Sequence, residues 1–385
     1  MKKANRTEAY LLSVARGRKG PVPSLLRGIT AVLAPVYVGG LEVYLLLVKL
    51  GIRKQTRLSV PVICIGNLTT GGTGKTPMAQ TLTSLLNRNH LKVCLLSRGY
   101  GGKNEFGCAI VSDGKDVLLT PQEAGDEAHL LAKTLPETPV IVGKDRRVTG
   151  KLAIETFSPD VLLLDDGLQF WLLERDLNII LLNAAEPFDN GYTFPRGLLR
   201  EPPSHLKRAG IVVITNVRHA GAKKVGEVLL EAQRLAPGVP LFTADLVPTE
   251  LKRVGENFSH AEKVPPQWLN GKRIASLCAV GNPASFESLL GDLGGVLASR
   301  FRLRDHQEIT VSDMERAFQE ACEAGAEAMI ITEKDAVKMP VLKSPIPIYS
   351  LEVEMKIDGE IAFLHAVMNR IRFRIAAQKL QEGPL

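Results

Sequence analysis

Cysteine is scarce: Cys64, Cys94, Cys108, Cys278 and Cys322 are the five in a 385-residue chain, and no two form a CxxC pair. This excludes a disulfide scaffold and a thiolate zinc site and points to a reducing compartment. Aromatic residues make up only 5%, yet 45% of residues are hydrophobic and 23% charged, so the chain is neither disordered nor collagenous and supplies a sizeable core. There is no internal repeat and no low-complexity tract. The length exceeds the point at which a single core stops growing, which predicts about two domains.

Most of the chain also lacks an excess of either charge. The net charge is +7, but residues 1–57 hold eleven Lys/Arg against Glu8 and Glu42, and the other 328 residues carry 37 basic and 39 acidic groups. A slightly acidic body removes the basis for a nucleic-acid partner. The basic segment contains the most apolar stretch, Ile29–Leu50, roughly long enough to cross a bilayer but broken by Pro35, Gly39-Gly40, Glu42 and Lys49. On a helix, Glu42, Lys49 and Arg53 share one stripe, and Tyr37, Leu41, Tyr44, Leu45, Val48 and Ile52 another. The pattern predicts a helix lying in a membrane interface, with Tyr37 and Tyr44 at headgroup level. Its basic flanks would be drawn to anionic lipid by about 1 kcal/mol per charge. A helical hairpin packed on the protein is the alternative, and a cleaved signal peptide is disfavoured because the apolar run starts late.

From residue 59 short β-branched runs alternate with amphipathic stretches, the pattern of a parallel sheet flanked by helices. Expected strands are Val60–Ile65, Val93–Leu96, Pro139–Val142, Val161–Leu164, Asn178–Leu182 and Ile211–Ile214. Expected helices are Thr76–Asn89, Pro121–Leu135, Asp145–Phe157 and Lys223–Leu235. Residues 238–270 read as a connector. A second set follows: strands Arg273–Ala279, Ala328–Thr332 and Ile346–Tyr349, helices Ala284–Leu293 and Ser312–Ala324, and a long helix from Gly359.

The strongest chemical signal is Gly66-Asn67-Leu68-Thr69-Thr70-Gly71-Gly72-Thr73-Gly74-Lys75-Thr76, placed between a hydrophobic strand and a helix. In a phosphate-binding loop the glycines let successive backbone N–H groups face the phosphates, Lys reaches the β- and γ-phosphates, and the final hydroxyl ligates Mg2+. Gly71, Gly72, Thr73, Gly74, Lys75 and Thr76 are therefore the expected ATP contacts, in a relaxed form of the motif because Thr69 stands where the strict pattern has Gly. Such a site needs a further carboxylate for the metal at a neighbouring strand end. Val161-Leu162-Leu163-Leu164-Asp165-Asp166 supplies it, with Asp165 as the Mg2+ partner; the role of Asp166 stays open between the metal and a cap on the next turn.

The phosphate loop is joined, in order, by Ser97-Arg98-Gly99-Tyr100-Gly101, Gly125-Asp126-Glu127, Val142-Gly143-Lys144-Asp145-Arg146, Asp165-Asp166-Gly167-Leu168-Gln169, Leu199-Arg200-Glu201-Pro202, Asp305-His306 and Thr332-Glu333-Lys334-Asp335-Ala336-Val337-Lys338. Across roughly residues 20–340 this series resembles the tetraacyldisaccharide 4'-kinase family, the lipid A 4'-kinases of Gram-negative bacteria. The resemblance implies transfer of the γ-phosphate of ATP to the 4'-hydroxyl of a tetraacylated glucosamine disaccharide 1-phosphate, at the cytoplasmic face of the inner membrane, by a peripheral or monotopic enzyme. It implies an α/β fold with a P-loop NTPase-like parallel-sheet domain and a smaller α/β/α domain joined by a two-stranded linker. With the N-terminal helical segment, the expected divisions are 1–57 membrane-associated, 58–237 ATP-binding, 238–270 linker and 271–385 smaller domain closing the cleft.

By the same resemblance Asp126 is the base, His306 orients it or shares its proton, and Glu127 assists the metal. Arg98, Arg146 and Arg147 are the guanidinium candidates for phosphate, since a planar fork matches its oxygens. The Thr215-Asn216 strand end is expected to face the nucleotide, and Lys334-Asp335 to sit beside the second domain's contribution. One departure is Phe170, where the family usually has His. A membrane-associated P-loop ATPase switch acting on a protein partner is the competing reading; it is disfavoured because Thr69 and Thr70 stand where such switches carry a further basic residue.

Overall fold

A computed structural model describes residues 10–254, 262–305, 307–340 and 342–382. By its contacts the chain divides into two compact units assembled from separated segments. The residues up to Lys75, Asp166–Asp245 and those from Ile357 onward form the first, and Thr76–Asp165 with Leu246–Lys356 form the second. Both units combine chain from before and after residue 238. Within residues 238–270, Leu241–Val254 is one 14-residue strand paired antiparallel with Lys263–Val264, a two-stranded arrangement.

In the first unit the strands Val62–Asn67, Leu177–Asn183 and Ile211–Thr215 pair in parallel in that order, and Ile211–Thr215 pairs in parallel with the start of Leu241–Val254. These runs are apolar without alternation because both faces are covered, and Val62, Ile63, Cys64 and Ile65 are all buried. Gly66 ends the first run for a steric reason: a Cβ there would meet Leu168 Cβ at 2.6 Å.

The second unit holds Val93–Ser97 between Val161–Asp165 and Pro139–Val142, all parallel, with Ala109–Asp113 antiparallel at the side of Pro139–Val142. It also holds Arg273–Cys278 between Val296–Arg302 and Ala328–Thr332, followed by Ile348–Ile357, again parallel. Helices Pro283–Asp292 and Val311–Glu323 accompany these strands, and Met314, Ala317, Phe318 and Ala321 pack into a buried cluster with Leu277, Met329 and Ile331.

One expected helix is two. Pro121–Ala124 opens as predicted, with Glu123 accepting from both the backbone N–H and the hydroxyl of Thr120. It stops at Gly125, whose φ is +85° and where a Cβ would meet Tyr100 O at 2.8 Å. A second helix, Asp126–Thr134, starts there. The break places Asp126 and Glu127 in a first helical turn, where backbone N–H groups and the helix dipole favour carboxylates.

The N-terminal segment forms helix Pro21–Lys49, 29 residues with Pro35 inside, and it is long and apolar enough to cross a membrane. One side docks on the first unit: the Tyr37 hydroxyl donates to Arg200 O at 2.8 Å, its ring meets Phe194 edge-on at 6.4 Å, and Glu42 Oε1 lies 2.7 Å from His205 Nε2. Tyr37 and Glu42 thus both have partners on the first unit, which the helical pattern alone did not indicate. Val22, Leu25, Ile29, Val32, Val36 and Val43 are exposed at roughly one per turn, so an apolar stripe is left uncovered.

Candidate active site

In the first unit the phosphate loop leaves the strand Val62–Asn67 and ends on Lys75, the first residue of helix Lys75–Arg88. Asn67 spans it from within. Its amide Nδ2 donates to Thr69 Oγ1 at 3.2 Å and to Gly71 O at 3.3 Å, and its Oδ1 accepts from Lys75 Nζ at 3.4 Å. Gly74 has a φ of 82°, in the left-handed region that favours glycine. Gly71 and Gly72 border open space, so backbone there is accessible to a ligand. Thr73 is buried, and its carbonyl accepts from Thr215 Oγ1 at 3.1 Å, which makes the Ile211–Thr215 strand end a support for the loop.

Lys75 Nζ also lies 3.7 Å from Asp166, which Arg200 grips at 2.8 and 3.1 Å. Asp166, with a φ of 52°, is therefore no simple turn cap: its carboxylate lies between the loop lysine and an arginine. Arg200 donates further to Gln169 Oε1 at 3.0 Å, and Gln169 Nε2 donates to Asn67 O at 3.2 Å and to Glu201 Oε1 at 2.9 Å. Sequence reasoning assigned no role to Asn67, Gln169, Arg200 or Glu201. Their signal was present, since all four stand inside quoted motifs, but spacing alone does not show that motifs some hundred residues apart share hydrogen bonds.

Thr76 follows Lys75 directly in the chain. In the second unit Asp165 is buried at the carboxyl end of Val161–Asp165, as expected of a residue closing a parallel strand toward a ligand.

The same unit gathers acids around two lysines. Lys338 Nζ lies 3.4 Å from Asp126 Oδ2 and 3.3 Å from Asp335, and its side chain is only 4% exposed. Lys334 Nζ lies 3.4 Å from Glu127 and 3.2 Å from Asp305. Burial works against the Lys334 charge, but Glu127, Asp305 and Asp126 outweigh it and hold its pKa above the ordinary lysine value. Asp335 accepts from Ala279 N at 3.0 Å and Thr332 Oγ1 at 2.7 Å, so the Thr332–Lys338 turn is fixed from below. His306 lies outside the described residues. Its neighbour Asp305 shares Lys334 with Glu127, the neighbour of Asp126.

The three candidate arginines fare differently. Arg98 Nε donates to Glu105 at 2.7 Å with about half its side chain exposed, and Arg147 holds Asp145 at the start of helix Arg146–Phe157. Arg146 is 3% exposed and donates to Gly143 O, so the structure places it in the interior, supporting a turn.

A sequence-family model described as tetraacyldisaccharide-1-P 4'-kinase matches residues 27–372. The chain belongs to the tetraacyldisaccharide 4'-kinase family. Relatives named tetraacyldisaccharide 4'-kinase include one from Syntrophus aciditrophicus (strain SB), 39% identical over 83% of this chain and 86% of its own length. Another, from Geobacter metallireducens, is 38% identical over 86% and 95%. A crystal structure described as the "apo" form of LpxK from Aquifex aeolicus in complex with ATP matches with a TM-score of 0.69 at 29% identity, covering 90% of this chain and 99% of that one. As a family member, the chain is an ATP-dependent kinase of lipid A biosynthesis that phosphorylates the 4'-hydroxyl of a tetraacylated disaccharide 1-phosphate.

Proposed function

We propose residue roles for this kinase. The backbone of Gly71, Gly72, Thr73 and Gly74, with Lys75 and Thr76, holds the phosphates of ATP; Asp126 takes the proton of the attacking 4'-hydroxyl, with His306 supporting it. The observation that carries the reading is the seating of Lys75, poised between Asn67 and Asp166 at the start of a helix whose preceding glycines open to solvent. A lysine so placed reaches phosphate oxygens with little rearrangement, and phosphoryl transfer asks a protein chiefly for positioning and charge neutralisation. For the base, support comes from Lys338 on Asp126 and from the lysine that Glu127 and Asp305 share. These contacts fix the carboxylate while leaving part of it accessible.

For Mg2+ the donors present are suitable: the Thr76 hydroxyl and the Asp165 carboxylate are hard oxygen ligands, with Glu127 assisting. Held by these groups, Mg2+ would supply positive charge against the charge that develops on the phosphates. Thr76→Ala is expected to raise the Mg2+ concentration for half-maximal turnover about tenfold, with the KM for lipid little changed. An unaltered Mg2+ titration would remove Thr76 from the metal site. Arg98, Arg146 and Arg147 remain our candidates for the substrate 1-phosphate or the ATP phosphates.

We place the enzyme on anionic lipid at the cytoplasmic face of the inner membrane, with no nucleic-acid partner, and assign helix Pro21–Lys49 to interfacial attachment. The docked side of the helix and its uncovered apolar stripe support this. Burying a valine side chain contributes about 1.5–3 kcal/mol, so the double substitution Val32→Glu with Val36→Glu is expected to shift most of the protein to the soluble fraction. Retention of the parent protein through alkaline carbonate washing would show instead that the helix spans the bilayer. Functionally we retain residues 58–237 as the ATP-binding part and 271–385 as the smaller part, with 238–270 linking them.

A further inference from the structure

The segment after Leu199 carries three charged groups that the phosphoryl-transfer roles above do not use. Glu201 and His205 are 1% and 3% exposed, and Arg208 pairs with Glu201. Burial of such groups is costly unless each is partnered, and here the partners lead in two directions. His205 Nδ1 lies 2.9 Å from Glu201 Oε2, and its Nε2 lies 2.7 Å from Glu42 Oε1 on the apolar helix. An imidazole donates from both nitrogens only when protonated, so a bridge between two carboxylates is made by the imidazolium form.

On the other side, Glu201 Oε1 accepts from Gln169, which also donates to Asn67 O at the base of the phosphate loop. Gln169 Oε1 accepts from Arg200, which holds Asp166, the carboxylate beside Lys75. The backbone follows the same route: Arg200 N donates to Leu68 O, and Arg200 O accepts from Tyr37 on the apolar helix. Within the first unit, hydrogen bonds through Asn67 and an ion pair through Asp166 thus join residue 42 to residue 75.

We infer that His205, clamped between Glu42 and Glu201, is a positioning residue through which the seating of the apolar helix sets the geometry of the phosphate loop. The inference rests on the reading that Lys75 holds phosphate. Its consequence is that an enzyme whose helix is displaced turns over poorly even when both substrates are bound. A residue that merely anchored the helix near lipid would act on access of the acylated substrate and leave the chemical step alone.

The test uses the full chain in detergent micelles with ATP, Mg2+ and tetraacyldisaccharide 1-phosphate, and measures kcat and both KM values for Glu42→Ala, Glu42→Gln and His205→Ala. Misplacement of groups around a reacting phosphate by about 1 Å costs up to about a hundredfold. The expected result is a fall in kcat of about tenfold or more for both alanine variants, with the lipid KM changed less than about threefold. Glu42→Gln, which keeps an acceptor oxygen for His205, should retain most of the turnover. A raised lipid KM with normal kcat, or no change in either, overturns the inference. Glu42 is about half exposed, so its alanine variant decides the matter even where His205→Ala fails to fold. Lys75→Ala is run in parallel: if it keeps normal turnover, the failure belongs to the phosphate-loop reading and not to the coupling.

Discussion

Replacing Lys75 by alanine is expected to lower phosphoryl transfer by at least about two orders of magnitude, the scale on which a preorganised charge at a reacting group acts. The ammonium has two neighbours, Asn67 Oδ1 at 3.4 Å and Asp166 at 3.7 Å, and neither depends on it. Asn67 still bonds Thr69 and Gly71, and Asp166 still has Arg200. The variant should therefore fold normally, with a melting temperature within a few degrees of the parent, and the loss should fall on kcat. Asp165→Ala should act on the same scale through the metal. Turnover near that of the parent in either purified variant would contradict the assignment.

The second large effect concerns Asp126 and His306. If one takes the proton and the other supports it, they act as a unit, and their losses should not multiply. Asp126→Ala and His306→Ala should each slow turnover by about two to four orders of magnitude, the span of general-base contributions, and the double variant should be little worse than the poorer single one. Both single variants should still bind ATP, because those contacts belong to Lys75 and Thr76. Lys338 is expected to remain folded against Asp335 when Asp126 is lost, since the pair is independent of Asp126. Multiplicative losses with ATP affinity falling in step would show that the two residues act separately in binding, and Asp166 would become the next base to test.

Local chemistry made much of this legible beforehand. A buried parallel strand must be apolar on both faces, so Val62–Asn67, Val161–Asp165 and Ile211–Thr215 appear in the sequence as uninterrupted runs, correct to within two residues at each end. The phosphate loop was legible because its glycines, lysine and threonine are contiguous. What escaped depends on approach between distant segments. Gly125 weakens a helix by only about 1 kcal/mol, so its presence alone does not announce the break, which follows from its positive φ and the nearness of the Tyr100 carbonyl. Ala109–Asp113 and Val296–Arg302 were missed because they are only partly buried and carry mixed side chains. Glu42 read as one member of a polar helical stripe, while its partner His205 lies 163 residues away. The role of Asp166 stayed open in the sequence because its flanking groups, Lys75 and Arg200, come from other segments.

The central claim, that this chain spends ATP on a lipid hydroxyl, is tested most directly by following γ-labelled phosphate from ATP in the purified full-length protein, with and without tetraacyldisaccharide 1-phosphate. The expected result is label on the acceptor in one-to-one proportion to ADP formed, with ADP release negligible when the acceptor is omitted. ATP hydrolysis at an undiminished rate without acceptor, and no label on the disaccharide, would contradict the account and return the chain to the class of ATP-driven switches.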